Sequence, residues 1–129
     1  MKLDAKQKVL IAIYSEYQKD IPRMDENVTA MKLGLDEEVF NIAIDKLQNE
    51  ELIKDAQIRY AASGKVILGM TLVKMSRAGI DYVESKFQIE KAQSGIEKAT
   101  IIMKKVAELG YEQLQNIAAK AIAEMVKGQ

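Results

Sequence analysis

The chain reads as a mainly α protein with a small β-hairpin wing: a winged helix-turn-helix domain of the α+β class, followed by a C-terminal helical tail. Three observations predict this. A short helix and a longer one follow each other closely between Val28 and Glu50. Two stretches of period-two alternation then flank a loop containing Gly64, the pattern of a hairpin. Finally Met75-Ser76-Arg77-Ala78-Gly79 opens another helix with Ser76 as its cap.

The elements follow in order. From Asp4 to Lys19, the apolar residues Val9, Leu10, Ile13, Tyr14 and Tyr17 recur at three- and four-residue steps, which buries one face of a helix. Asp4 caps it, and Pro22 forbids continuation past Ile21. Asn27 is the expected N-cap of a helix over Val28 to Lys32, which Gly34 stops in the left-handed region. Asp36 starts the next helix, which runs to about Glu50 and turns Phe40, Ala43, Ile44 and Leu47 inward. Strands over Lys54 to Tyr60 and Val66 to Leu72 enclose Ala61-Ala62-Ser63-Gly64-Lys65, with even-numbered residues expected to face the core. The helix capped by Ser76 reaches about Glu90, and Gly79 in its first turn permits close approach to the sheet.

At Gln93-Ser94-Gly95 the pattern restarts, with Ser94 and Glu97 forming a capping box. The predicted organisation is a winged-helix domain over 1–92 and a helical tail over 93–129, with helices at 95–109 and 111–127 broken by Gly110. The stripe Ile89, Ala92, Ile96, Ala99, Met103, Val106 is heptad-like, and Leu114 and Ile117 continue an apolar face in a shifted phase. Ile96, Ala99, Met103, Val106, Leu114 and Ile117 are therefore the candidate dimer seam. The tail is expected to drive oligomerisation. Folding back on the domain and lying on a membrane surface are the rival placements, the last opposed by glutamates mixed among its lysines.

Composition narrows the chemistry. The 129 residues carry 19 basic and 19 acidic side chains, so whole-chain charge draws the protein toward neither nucleic acid nor anionic lipid. With no Cys, disulfides and thiolate zinc sites are excluded, and the absence of His removes the commonest general base and metal ligand. The serines have no His to activate them. Ser63-Gly64-Lys65 fails as a phosphate loop, because Arg59 and Val66 stand where Gly and Ser or Thr are needed. No enzyme, no metal and no cofactor is expected. The N-terminus has no apolar stretch of signal-peptide length and nothing reaches the span of a bilayer, so a cytoplasmic protein is expected.

Charge is distributed unevenly between the third helix and the wing. From Asp36 to Glu51 six acids face Lys46 alone, a net −5, so the third helix repels a phosphate-lined groove. Its outward residues Glu37, Glu38, Asn41, Asp45, Gln48 and Asn49 form a candidate partner surface. From Leu52 to Gly79 five cations face Asp55, a net +4, which makes Lys54, Arg59 and Lys65 the candidate phosphate contacts, with Arg59 and Lys65 straddling a groove. The expected work is protein–protein interaction, with a homodimer or a foreign protein as partner. The alternative is a dimeric DNA-binding regulator that contacts DNA mainly through its wing.

Three segments resemble the YjcQ-like family, small winged-helix proteins of Gram-positive bacteria and their phages. They are Thr29-Ala30-Met31-Lys32-Leu33-Gly34-Leu35-Asp36-Glu37-Glu38, the passage Leu47 to Ile53, and Met75 to Tyr82, where Met75 and Ser76 stand for the family's Leu-Thr. The resemblance covers about 1–110. It implies a winged-helix fold and a phage or prophage origin, and it brings no activity and no catalytic residues.

Overall fold

The structure is a computed structural model and describes residues 1–128. Its first helix, α1 (Ala5–Tyr17), starts in a full capping box: Asp4 accepts from the Gln7 amide at 2.8 Å, and the Gln7 side chain accepts from the Asp4 amide at 2.9 Å. Every residue from Val9 to Glu16 is buried. A one-sided stripe does not describe this helix. The unbroken run Val9-Leu10-Ile11-Ala12-Ile13-Tyr14 is apolar all round, as a central helix must be.

An unforeseen single turn, α2 (Met24–Asn27), follows, and then α3 (Ala30–Leu33). The expected Asn27 cap is incorrect. Thr29 caps α3, its hydroxyl accepting from the Lys32 amide at 3.2 Å, while Asn27 ends α2 and is buried. Gly34 closes α3 at φ +66°, as the sequence indicates. Asp36 caps α4 (Glu37–Asn49), accepting from the amides of Glu38 and Val39, and Phe40, Ala43, Ile44 and Leu47 point inward.

The hairpin is made in two pieces. β1 (Ile53–Lys54) pairs antiparallel with β4 (Lys74–Met75), and β2 (Gln57–Tyr60) pairs with β3 (Val66–Gly69) across the five-residue loop. Asp55, at φ +66°, breaks the first strand, and a turn closed by the Val73 amide on the Met70 carbonyl breaks the second. That turn ends the even-numbered alternation. Leu68 and Met70 pack on the core, but Leu72 is 53% exposed, and Val73 takes the buried place instead. Tyr60, also expected inward, is 63% exposed.

Ser76 caps α5 (Arg77–Phe87), which stops short of Glu90 because Gln88 turns left-handed at φ +57°. Gly79 meets the sheet as anticipated: a Cβ there would lie 2.0 Å from the Leu52 carbonyl oxygen, so no larger residue fits without moving the helix.

The segment after residue 92 forms α6 (Gly95–Glu108), started by the Ser94–Glu97 capping box, and α7 (Glu112–Val126), reached through Gly110 at φ +86°. α6 and α7 pack on each other, and α7 lies along α1. Ile102, Val106, Leu114, Ile117 and Ala118 join Val9 to Tyr14 in one continuous core. The tail supplies the second wall that buries α1. Of the candidate dimer seam, Ala99, Val106, Leu114 and Ile117 are buried within this one chain, and Met103 is half-buried against the core. Ile96, at 39%, is the exposed member. Apolar side chains that the sequence left seeking a second copy are covered intramolecularly, which removes the physical premise of that seam.

Where α1, α5 and α6 meet, the buried Glu84 carboxylate accepts from the Tyr14 hydroxyl at 2.8 Å and from Lys98 at 2.8 Å and Lys91 at 3.0 Å. Burial works against its charge, but the bonds from Lys98, Tyr14 and Lys91 outweigh it and hold Glu84 below the ordinary carboxylate value. A depressed pKa stabilises the fold above the unfolded-state value, and that contribution is lost as pH falls through the folded one. Denaturant midpoints from pH 7 down to pH 3 should therefore show wild type and Glu84→Gln converging below about pH 4. Parallel profiles would show that Glu84 is not the acid-sensitive joint.

Candidate functional site

A cleft of about 690 Å³ runs between the start of α4 and the hairpin. Asp36, Glu37, Glu38 and Asn41 form one wall, and Ala61, Lys65, Val66, Ile67 and Leu68 form the other. A second hollow of about 420 Å³ continues it along α3, adding Asp25, Val28, Met31, Phe40 and Met70 while sharing Glu37, Asn41 and Leu68. The two make one groove with an apolar floor of Phe40, Leu68 and Met70 and a charged rim.

The groove exists because α4 holds the hairpin alongside itself. The Asn41 amide donates to the Val66 carbonyl at 3.2 Å. Tyr60 donates to Asp45 at 2.8 Å, a bond that, with some burial, holds the phenol above its ordinary pKa. Gln48 clasps Ala56 by both backbone groups, accepting from its amide at 2.8 Å and donating to its carbonyl at 3.1 Å. Each of these side chains sits on one face of α4, spaced at three- and four-residue steps.

This corrects the predicted partner surface. Asn41, Asp45 and Gln48 face the hairpin and are used within the fold. Asn49 is exposed at the far end of the helix, away from the groove lining. Glu37 and Glu38 alone of the six remain as exposed lining. The geometry adds three residues that sequence reasoning missed: Asp25, Met31 and Ile67. Met31 is 87% exposed at one end of the groove, and Ile67 is exposed at the other. No periodic signal marks Met31, which sits in a four-residue helix too short to define a face.

The candidate phosphate contacts are all exposed on the hairpin. Lys65 lines the groove opposite Asp36, Glu37 and Glu38. Arg59 pairs in register with Ile67, on the strand face opposite to that of Tyr60, which bonds α4. Lys54 lies across from Lys74, itself bonded to Asp55 at 3.1 Å. Arg59 is not among the residues lining the groove, and neither Arg59, Lys65 nor Lys54 makes an ion pair among the described residues. Counted around the groove, Asp25, Asp36, Glu37 and Glu38 oppose Lys65, a net −3. With Coulomb interactions only partly screened in a recess, these charges give the groove a negative potential.

Among the described residues no helix is long and apolar enough to cross a membrane. No curated protein and no solved structure matches the chain. The family model described as YjcQ protein matches residues 7–108, which run from within α1, through the hairpin and the groove, to the last residue of α6. With that match over most of its length, the chain belongs to the YjcQ protein family.

Proposed function

We propose that this chain is a non-enzymatic cytoplasmic interaction module, of phage or prophage origin, that takes a basic, partly apolar segment of a partner protein into the groove between α4 and the hairpin. The observation that carries this reading is the excess of carboxylates around an apolar floor: Asp25, Asp36, Glu37 and Glu38 above Phe40, Leu68 and Met70. A lysine-rich strand or helix with interleaved apolar residues satisfies both. Within the hairpin region Asp55 pairs with Lys74 at 3.1 Å.

A second reading keeps one observation in its favour, the exposed Lys54, Arg59 and Lys65, which make no ion pair among the described residues and suit backbone contacts to DNA. One titration separates them. The full-length protein should bind a labelled peptide alternating lysine and leucine, with affinity reduced at least tenfold by Glu37→Lys with Glu38→Lys, and should ignore the glutamate analogue. A labelled DNA duplex should bind more weakly, with a shallow salt dependence of about two to four phosphates. Nanomolar duplex binding lost on Arg59→Ala with Lys65→Ala would replace the first reading with the second.

A further inference from the structure

On the other side of α3 a smaller pocket of about 260 Å³ lies against α7, lined by Asn27, Lys32, Gln113, Asn116, Ile117 and Lys120. Two lysine ammonium groups converge in it on one neutral atom. Lys120 Nζ donates to Asn27 Oδ1 at 2.8 Å, and Lys32 Nζ reaches the same oxygen at 3.4 Å and the Glu26 carbonyl at 2.9 Å. The direction of Asn27 is not free. Its Nδ2 donates to the buried Glu16 carboxylate at 3.0 Å, so its oxygen must face the lysines.

The carboxylates that could neutralise this pair are directed elsewhere. Glu16 Oε2 takes Lys19, the Arg23 amide and Asn27, and Glu124 Oε1 takes Lys19. Lys19, Lys32 and Lys120 against Glu16 and Glu124 leave one cation in surplus, and the surplus faces the pocket. Each ammonium has three donors. Lys120 uses one here and Lys32 two, so donors remain for a ligand. Gln113 closes one side, its amide nitrogen 3.2 Å from where a Cβ on Gly34 would stand. Burial and the neighbouring Lys120 also lower the pKa of Lys32, and the carboxylates of Glu16 and Glu124 offset them only in part.

We propose that this pocket between α3 and α7 is an anion site for a phosphate group, free or as the monoester of a small molecule, held by Lys32 and Lys120. Lysine binds phosphate as a point charge with rotatable donors, and two ammonium groups match a dianion. The site is independent of the acidic groove, since it lies on the opposite flank of α3 and shares no lining residue with it.

The test is calorimetry on the full-length protein with inorganic phosphate and, separately, glycerol 3-phosphate, in chloride at matched ionic strength. One site is expected, weakened at least tenfold by Lys120→Gln or Lys32→Gln and unchanged by Lys104→Gln on the exposed side of α6. At about ten times its Kd the anion should also raise the melting temperature by about 4 °C. Tighter binding of the ester by tenfold or more would identify a phosphorylated small molecule as the ligand, and equal binding would identify free phosphate. Absence of binding to either anion, or binding that survives both pocket variants, overturns the site. So does a fall in the anion-free melting temperature of Lys120→Gln, which would make Lys120 a structural tie for Asn27.

Discussion

A chain ending at Ala92 is expected to lose its fold. In the uncut chain the Val9–Glu16 stretch of α1 is buried on every side, and α7 supplies one of its walls. Removing α6 and α7 takes Ile102, Val106, Leu114 and Ile117 out of the core and exposes the faces of α1 that they cover. At about 1.5–3 kcal/mol for each large aliphatic group, those four account for roughly 6–12 kcal/mol. A domain of this size has about 5–15 kcal/mol in total. The cut also frees the Leu3 amide, which donates to the Tyr111 hydroxyl at 2.8 Å, and leaves Lys19 without Glu124. Circular dichroism should show a truncated chain with much reduced helicity and no cooperative melt. A cooperative transition within a few degrees of the intact protein would instead mark 93–129 as a separable appendage.

The frame of the fold was legible because its signals are local. Asp4, Asp36, Ser76 and Ser94 each accept an amide bond at a helix start, as their positions before apolar-periodic stretches indicate, and Gly34 and Gly110 take positive φ where helices stop. Gly79 announced a close approach that only the backbone of Leu52 explains. The misreadings share a different cause, which is that period alone does not say what covers a face. Ile11 and Ala12 lie off the stripe read for α1, yet both are buried, because α1 has neighbours on all sides. Asn41, Asp45 and Gln48 look like a solvated face of α4 until the hairpin folds against them. Of the candidate site, Glu37, Glu38 and Lys65 were visible as charges, whereas the groove that unites them with Asp25 and Met31 depends on tertiary placement.

The least legible feature carries the second large effect: Lys19→Met is expected to cost about 3–5 kcal/mol. A lysine two residues past the end of α1 reads as solvent-exposed, yet the side chains of Lys19 and Glu16 are each only 1% accessible and meet at 2.7 Å. Burial opposes the ammonium, but hydrogen bonds to Glu16 and to Glu124 at 2.9 Å outweigh it and hold Lys19 above the ordinary lysine pKa. A raised lysine pKa contributes stability below the unfolded value and loses it only at strongly alkaline pH, so the contribution is fully present at neutrality. Methionine in its place leaves the buried Glu16 carboxyl without its ammonium partner, with the Arg23 amide and Asn27 as its remaining donors. Adding Glu16→Gln to Lys19→Met removes the unpartnered carboxyl while keeping an oxygen for both donors, so the double variant should regain at least half of the loss. Urea midpoints at pH 7, with unchanged slopes, measure the three variants on one scale. A single-variant cost below about 1 kcal/mol, or strict additivity in the double, would show that the pair is not the charge-compensated joint between α1, α2 and α7 that its geometry describes.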